Sequence, residues 1–457
     1  MSDILFHYYR VNPTTWFYLA SLLSIALFFK FNRLWSFRNL DLSLLVLMAP
    51  GLLAVRYGEL KAATETEQAG FIWIFAVSGL LMLRMLSDSS MVRRPLLEPN
   101  LTTGGLVFLG LSLLVYQTAN VINTPPEADA VAGAAAAEKL QAREPAVDAD
   151  QLTRLGPGYP LLFLLPKIST QRFFAPDADS NPIPRDQTDG EAPRDRDRRA
   201  EHEATARIMA ILSHLAIVAG TVTVGWLHFE NIKLGIAAAV LYLLLPCTSM
   251  MTGRVDHLLP GALVTWAIAG YRRPLLAGSL IGLAIGTIYY PVFLLPLWCS
   301  FYWEKGIGRF ATGVATTLAA LVAGLWMTSP DMAIFVDQLR QMFGWILPNA
   351  VTCVGFWQWY DPVFRLPVLA AFVAMMASLA IWPAHKHLGT LMSCTAAVLL
   401  GCQFWKAHEG GLFMAWYLPV LLLVVFRPNL ENRIALAMPG SNWFSRRGSG
   451  PFADQAA

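Results

Sequence analysis

Charge is what this chain has least of. Only 14% of its 457 residues are Asp, Glu, Lys or Arg, against about 25% in soluble domains. Hydrophobic residues make up 55%, and the mean hydropathy is +0.47. That balance excludes a soluble globular protein. Cysteine is scarce too. Cys247, Cys299, Cys353, Cys394 and Cys402 form no Cys-x-x-Cys pair and no Cys/His cluster with metal-ligand spacing. Most of them fall in apolar runs, where the thiol behaves as a small hydrophobe. The chain has no Gly-x-x-x-x-Gly-Lys-Ser/Thr loop, no Gly-x-Gly-x-x-Gly after a strand and no His-Glu-x-x-His. Strand-like alternation and a basic-aromatic face are missing as well, so nucleic acid is not an expected partner. No basic segment precedes the first apolar run and no small-residue cleavage site follows it. The run therefore reads as a retained span and not as a signal peptide.

Apolar runs of membrane length fill most of the remainder. A helix of ~20 residues crosses the ~30 Å hydrocarbon core, and only a helix or a closed barrel satisfies the backbone there. The reading is an all-α polytopic transmembrane protein of about 12–13 membrane segments. Candidate spans are Thr15–Phe31, Leu42–Val55, Ala69–Met85 and Gly104–Val121, then Ile208–Trp226, Leu234–Met251 and Leu258–Gly270. Phe310–Met327, Pro362–Trp382, Leu388–Phe404 and Leu412–Phe426 follow. Between them, Leu275–Tyr302 is too long for one span and is interrupted by Tyr289-Tyr290-Pro291 and by Pro296. Proline disfavours continuous helix at its own position and the one before, which predicts two short helices in a hairpin.

Lys and Arg distribute unevenly between alternate loops. With the N-terminus outside, one side holds Lys30, Arg38, Arg84, Lys233, Arg272-Arg273, Lys305, Arg309, Lys386 and the basic tail. The long insert aside, the other keeps only Arg10, Arg56, Lys61, Arg254, Arg340, Arg365 and Lys406; Arg194, Arg196, Arg198 and Arg199 run against this at the end of the insert, where they alternate with Asp195 and Asp197. The positive-inside rule then predicts a cytoplasmic C-terminus and an extracytoplasmic insert; the expected location of this multi-pass protein is the plasma (inner) membrane. On this topology Asn100-Leu-Thr, a formal glycosylation sequon, faces the cytoplasm. The expected organisation is a three-span region over 1–103, a span with an extracytoplasmic loop over 104–175 and a disordered polar linker over 176–206. A multi-span body over 207–428 and a cytoplasmic tail over 429–457 complete it.

The polar insert is where chemistry is expected. Glu127 and Asp129 follow a Pro-Pro turn just after a span. Asp129–Glu144 is Ala-rich and predicted helical. Leu155–Ile168 is apolar but too short to cross, which suits an interfacial or re-entrant segment. From Pro176 to Ala206 the Asp, Arg, Pro and Glu content leaves almost nothing to bury, hence the predicted disorder.

These features combine with three further blocks. They are Leu241-Tyr-Leu-Leu-Leu-Pro-Cys-Thr-Ser-Met-Met-Thr-Gly-Arg-Val-Asp-His257, Arg272-Arg-Pro-Leu-Leu-Ala-Gly-Ser-Leu-Ile-Gly-Leu-Ala284 and Tyr289-Tyr-Pro-Val-Phe-Leu-Leu-Pro-Leu297. With Gly156-x-x-Tyr159-Pro-Leu161 in the insert, the pattern over roughly 104–327 resembles the GT-C superfamily, the multi-pass glycosyltransferases that use polyprenyl-phosphate sugars as donors. The resemblance implies sugar transfer at the outer membrane face, with an acidic residue of the first outer loop as general base. By position that residue is Asp129, with Glu127 beside it. The implied partners are a lipid-phosphate sugar donor, a glycan or lipid acceptor and membrane lipids; no cofactor is implied. Three departures stand out: three spans precede the resembling part, Ile288 sits where relatives often carry a basic residue, and the acids read Glu-Ala-Asp.

A carboxylate suits the task because it takes the acceptor hydroxyl's proton and stabilises positive charge developing at the sugar carbon. The alternative is that both acids are ordinary loop residues. Arg254-Val-Asp256-His257 is the second candidate, since an ionisable cluster beside an apolar run is a functional-site hypothesis by default. Arg254 would hold the donor phosphate, Asp256 orient it or share base work, and His257 donate a hydrogen bond; an interfacial ion pair is the competing explanation. Tyr159, Arg340 and His408 complete the substrate-binding candidates, with Lys406 and Glu409 flanking His408. The aromatic run Phe356–Tyr360 reads as interfacial belt. The rival functional class is a transporter or lipid flippase, and a third reading is an inactive GT-C-like protein.

Overall fold

The computed structural model describes residues 13–32, 34–90, 98–126, 128–142, 156, 158–164, 193–342 and 353–435. Among them are seventeen α-helices and no strand, the all-α architecture expected of the composition. Seven helices are long and apolar enough to cross a membrane, and five shorter apolar helices accompany them.

The order is α1 (Pro13–Phe28), α2 (Phe37–Lys61), α3 (Thr64–Leu86), α4 (Thr103–Asn123), α5 (Ala128–Ala142) and α6 (Gly158–Leu162). Next come α7 (Pro193–Leu227), α8 (Ile232–Leu244), α9 (Pro246–Met250), α10 (Val255–Ala269), α11 (Pro274–Thr287) and α12 (Leu295–Phe301). The chain finishes with α13 (Ile307–Thr328), α14 (Met332–Met342), α15 (Arg365–Ile381), α16 (Leu388–Trp405) and α17 (Leu418–Phe426). Side-chain caps start several of these helices. The Ser36 hydroxyl accepts from Asn39 N at 3.2 Å for α2, and Thr102 accepts from Gly105 N at 3.3 Å for α4.

The long tract Leu275–Tyr302 folds back on itself. α11 ends at Thr287, a 3₁₀ turn runs over Tyr290–Leu294, and α12 returns. Tyr302 Oη donates to Tyr271 O at 2.5 Å, so the two ends of the tract meet. α13 then packs along α11 in the same direction. Gly278, Gly282 and Gly286 recur every fourth residue on α11, and a Cβ on Gly278 would lie 2.2 Å from Phe310 O. Such small-residue stripes let two backbones touch, the way membrane helices associate when lipid offers no hydrophobic drive.

Three expectations are modified. Leu234–Met251 is not one helix: Pro246 breaks it into α8 and α9. The polar stretch taken as a disordered linker, 176–206, is helical from Pro193 on and continues without a break into the span, making α7 35 residues long. Its charges pair along the helix, Glu203 with Arg199 at 3.5 Å and with Arg207 at 3.6 Å. His202 meets Glu138 of α5 at 2.7 Å. Composition alone missed these pairings, which let a polar segment extend a membrane helix. Residues 165–192 lie outside the described residues.

The last expected span is also shorter than read. α17 is nine residues, preceded by a 3₁₀ turn at Met414–Trp416, and it is buried throughout. At ~1.5 Å per residue it cannot cross alone; it plugs the bundle between α8, α10 and α16.

The helix ends sort into two sets. One contains Lys30, Arg84, Lys233, Arg272, Lys386 and Arg427; Asn100 donates to Ala26 O there, and Arg427 meets Asp88. This is called the tail end. The opposite set contains Asp129, Arg254, Tyr290 and Lys406, and it holds the candidate site.

Candidate functional site

Polar side chains stitch together the elements that carry the candidate residues. Near the end of α4, Gln117 Nε2 donates to Leu243 O at 3.0 Å. Asn120 Nδ2 donates to Ser249 O and to Thr252 Oγ1, both at 3.1 Å. These bonds tie the segment entering α5 to the loop before α10. Asp129 lies in the first turn of α5 and is half-buried. Ala130, Ala134 and Ala137 pack inward, and Gly133 faces the Tyr159 ring so closely that a Cβ would sit 2.6 Å from it.

The Gly156-x-x-Tyr159 segment is held against the end of α11. Gly156 N donates to Thr287 O at 2.8 Å, and a Cβ there would lie 2.3 Å from Gly286 O. Only glycine allows this approach. Tyr159 is fully buried, and among the described residues its hydroxyl has no hydrogen-bond partner. Burial pushes that hydroxyl's pKa well up; the Asp256 and Asp129 charges add to the shift and Arg254 opposes it. Tyr159, Asp129, Asp256 and Arg254 therefore share one electrostatic neighbourhood, though they come from three separate parts of the chain.

Arg254 precedes α10, with Asp256 and His257 in its first turn. Its guanidinium donates to Glu409 Oε2 at 2.8 Å and to Asp256 Oδ2 at 3.4 Å. His257 is fully buried, its ring centroid 4.0 Å from that of Phe413. Among the described residues both ring nitrogens lack hydrogen-bond partners, and Nε2 stands 3.7 Å from Asp256 Oδ2, too far for a bond. Trp416 Nε1 donates to Asp256 O at 3.1 Å, fixing this turn against the last helix.

The loop after α16 supplies the second cation. Lys406 Nζ donates to His408 O at 2.7 Å and lies 3.4 Å from the Phe413 ring centroid, a cation–π contact. Arg254 covers the same ring at 5.2 Å. Gln403 Oε1 holds this loop by accepting from Gly411 N and Phe413 N at 3.2 and 3.3 Å. Glu409 N donates to Val354 O and Val354 N donates to Ala407 O, at 2.8 and 2.9 Å, so the segment after residue 352 laces onto it.

Of the candidates read from sequence, Asp129, Tyr159, Arg254, Asp256 and His257 lie together. His408 is adjacent, contributing its carbonyl to Lys406 and its backbone to the Val354 bridge. Arg340 is in α14, and Glu127 lies outside the described residues. Asp331 accepts from Ile334 N and Asp361 from Val363 N, so both act as helix caps. Lys406 and Glu409, read from sequence only as flanking loop charges, are full members of the cluster. Asn120, Gln403, Phe413 and Trp416 carried no motif. Their signal is that polar groups inside apolar helices need partners, and Gly410-Gly411 marks a tight loop next to Phe413. Among the described residues no group of three His, Cys, Asp or Glu converges as a metal site.

Chemically the cluster offers carboxylates at Asp129 and Asp256, a bidentate-capable guanidinium and an ammonium held over an aromatic face. Such a set can take up a proton and neutralise a phosphate. No protein-family model matches the chain, and no curated protein matches it either.

Proposed function

We propose that the protein transfers a sugar from a polyprenyl-phosphate carrier to an acceptor hydroxyl, at the membrane face that carries Asp129. The observation behind this reading is that α5, which carries Asp129, packs on α10, whose Asp256 pairs with Arg254 at 3.4 Å, while Arg254 and Lys406 both lie over the Phe413 ring. In the proposed step the acceptor oxygen forms a bond to the anomeric carbon. The bond from that carbon to the carrier phosphate oxygen breaks, and the phosphate keeps the electron pair. Asp129 takes the acceptor's proton, while Arg254 and Lys406 offset the negative charge left on the phosphate. Tyr159 and His257 face the same neighbourhood with unused hydrogen-bonding atoms, suited to sugar hydroxyls.

The proposed orientation is extracytoplasmic for this face and cytoplasmic for the tail. It rests on the crowding of Lys and Arg at the tail end. A transporter would favour paired ionisable groups at mid-membrane. Among the described residues the buried pair Arg84–Asp41 and the partly buried pair Arg254–Glu409 sit instead at helix ends.

The test is transfer from a panel of radiolabelled polyprenyl-phosphate sugars in proteoliposomes. Arg254→Gln removes charge-assisted bonds of ~1.5–3 kcal/mol, so transfer is expected to fall about 10- to 100-fold. Absence of labelled product with every donor, or an unaffected Arg254→Gln variant, would overturn the reading.

A further inference from the structure

The tail end holds a second ionic centre that the proposed chemistry does not use. Arg84 of α3 brings Nε to 2.7 Å from Asp41 Oδ1, off the hydrogen-bond axis, and donates from Nη2 to Asp41 Oδ2 and from Nη1 to Asp88 Oδ1, each at 3.0 Å. Arg427 pairs with the other Asp88 oxygen at 2.5 Å. Both carboxylates are thus committed. Arg38, three residues before Asp41 on α2, is only 8% exposed, and among the described residues neither Nη1 nor Nη2 has a hydrogen-bond partner. Glu98 attracts Arg38 from the exposed loop before α4 without bonding to it. Among the described residues three guanidiniums therefore face two buried carboxylates, and the one that makes no hydrogen bond from its Nη atoms sits in the first turn of a 25-residue helix. A cation there is opposed by the helix dipole, whereas an anion is favoured.

The surroundings of Arg38 indicate what kind of anion. The preceding loop exposes Phe31, Leu34, Trp35 and Phe37, at 64%, 61%, 102% and 62%. Exposed aromatic and aliphatic side chains beside a membrane span belong at the headgroup level. We infer that Arg38 and the exposed side chains of Leu34, Trp35 and Phe37 form a binding site for an anionic phospholipid of the tail-side leaflet. Its headgroup phosphate takes the two buried, unpartnered nitrogens of Arg38 once the side chains over them move aside, and its glycerol and acyl region lies along Trp35 and Phe37. Basic pockets between transmembrane helices on that side of a membrane are suited to acidic headgroups. Unlike the proposed sugar transfer, this site needs no reaction at the opposite face.

The test uses the full-length protein in detergent, with phosphatidylglycerol, phosphatidylcholine or soluble glycerol phosphate added. Thermal unfolding and the lipid retained in native mass spectrometry are both read. Phosphatidylglycerol is expected to raise the wild-type midpoint above that with phosphatidylcholine and to be retained about tenfold more. Arg38→Gln should remove both differences, and Arg38→Lys, which keeps the charge but loses the fork, should preserve part of each. Equal behaviour of the two lipids with wild-type protein would overturn the inference whether or not the variants fold. So would an Arg38→Gln variant that retains phosphatidylglycerol, or glycerol phosphate alone reproducing the effect, which would assign a free phosphate ester.

Discussion

Arg84→Met tests whether the tail-end ion network holds the bundle together. The Arg84 side chain is 6% exposed, and its two carboxylate partners are 2% and 0% exposed. Removing the guanidinium takes from buried Asp41 its contact with Arg84 and from Asp88 the Arg84 part of its ion pairing. Stranding a buried charge in this way costs about 3–5 kcal/mol, even where the intact pair contributes little over an apolar replacement. The same asymmetry predicts a partial rescue. Arg84→Met combined with Asp41→Leu removes the stranded carboxylate and should recover at least half the loss, while Asp88 keeps Arg427. Unfolding by SDS titration in mixed micelles, followed by far-ultraviolet circular dichroism, gives both values. A single variant within about 0.5 kcal/mol of wild type, the spread expected for ordinary surface changes, would show that the network is dispensable. A double variant no better than the single would refute the charge-stranding argument.

Two other outcomes follow from the packing and from one buried histidine. Gly278→Ala places a methyl where Phe310 O stands 2.2 Å away, so α11 and α13 must separate; the expected cost is about 1–3 kcal/mol in the same titration. Gly104→Ala, with nothing within 4 Å, is the matched control and should be neutral or slightly stabilising. His228, just past α7, lends Nε2 to Ala269 O at 2.8 Å, and burial lowers its pKa to about 3. The unfolded chain protonates this group near 6.5 and the folded protein does not, so the unfolded state binds more protons between those values. The stability is fully present above pH 6.5 and is lost as pH falls toward 3, amounting to roughly 2–3 kcal/mol between pH 6.5 and 4.5. His228→Gln should flatten that slope, and a slope unchanged by the substitution would remove His228 as its source.

The helical spans were legible because bilayer length and backbone satisfaction leave few alternatives for a chain so poor in charge. The Leu275–Tyr302 turn-back was legible because proline marks it. What composition hid was cooperative. The polar start of α7 reads as unstructured until Glu138, on another helix, meets His202. The site shows the same division. Arg254, Asp256 and His257 announce themselves as charges beside an apolar run, but Lys406 and Glu409 gain their place only from Phe413 and Arg254, which are far apart in sequence. The stripe Gly278, Gly282 and Gly286 was present in the sequence; its use became clear once α13 lay against it.

The central claim is that Asp129 serves as the base in sugar transfer, and comparing wild type with Asp129→Asn in proteoliposomes loaded with a labelled polyprenyl-phosphate sugar tests it most directly. Asparagine keeps the shape and removes the proton acceptor, so transfer is expected to fall by a factor of about 100 or more while the variant unfolds at the wild-type SDS concentration. Equal transfer by a folded Asp129→Asn protein would contradict the account.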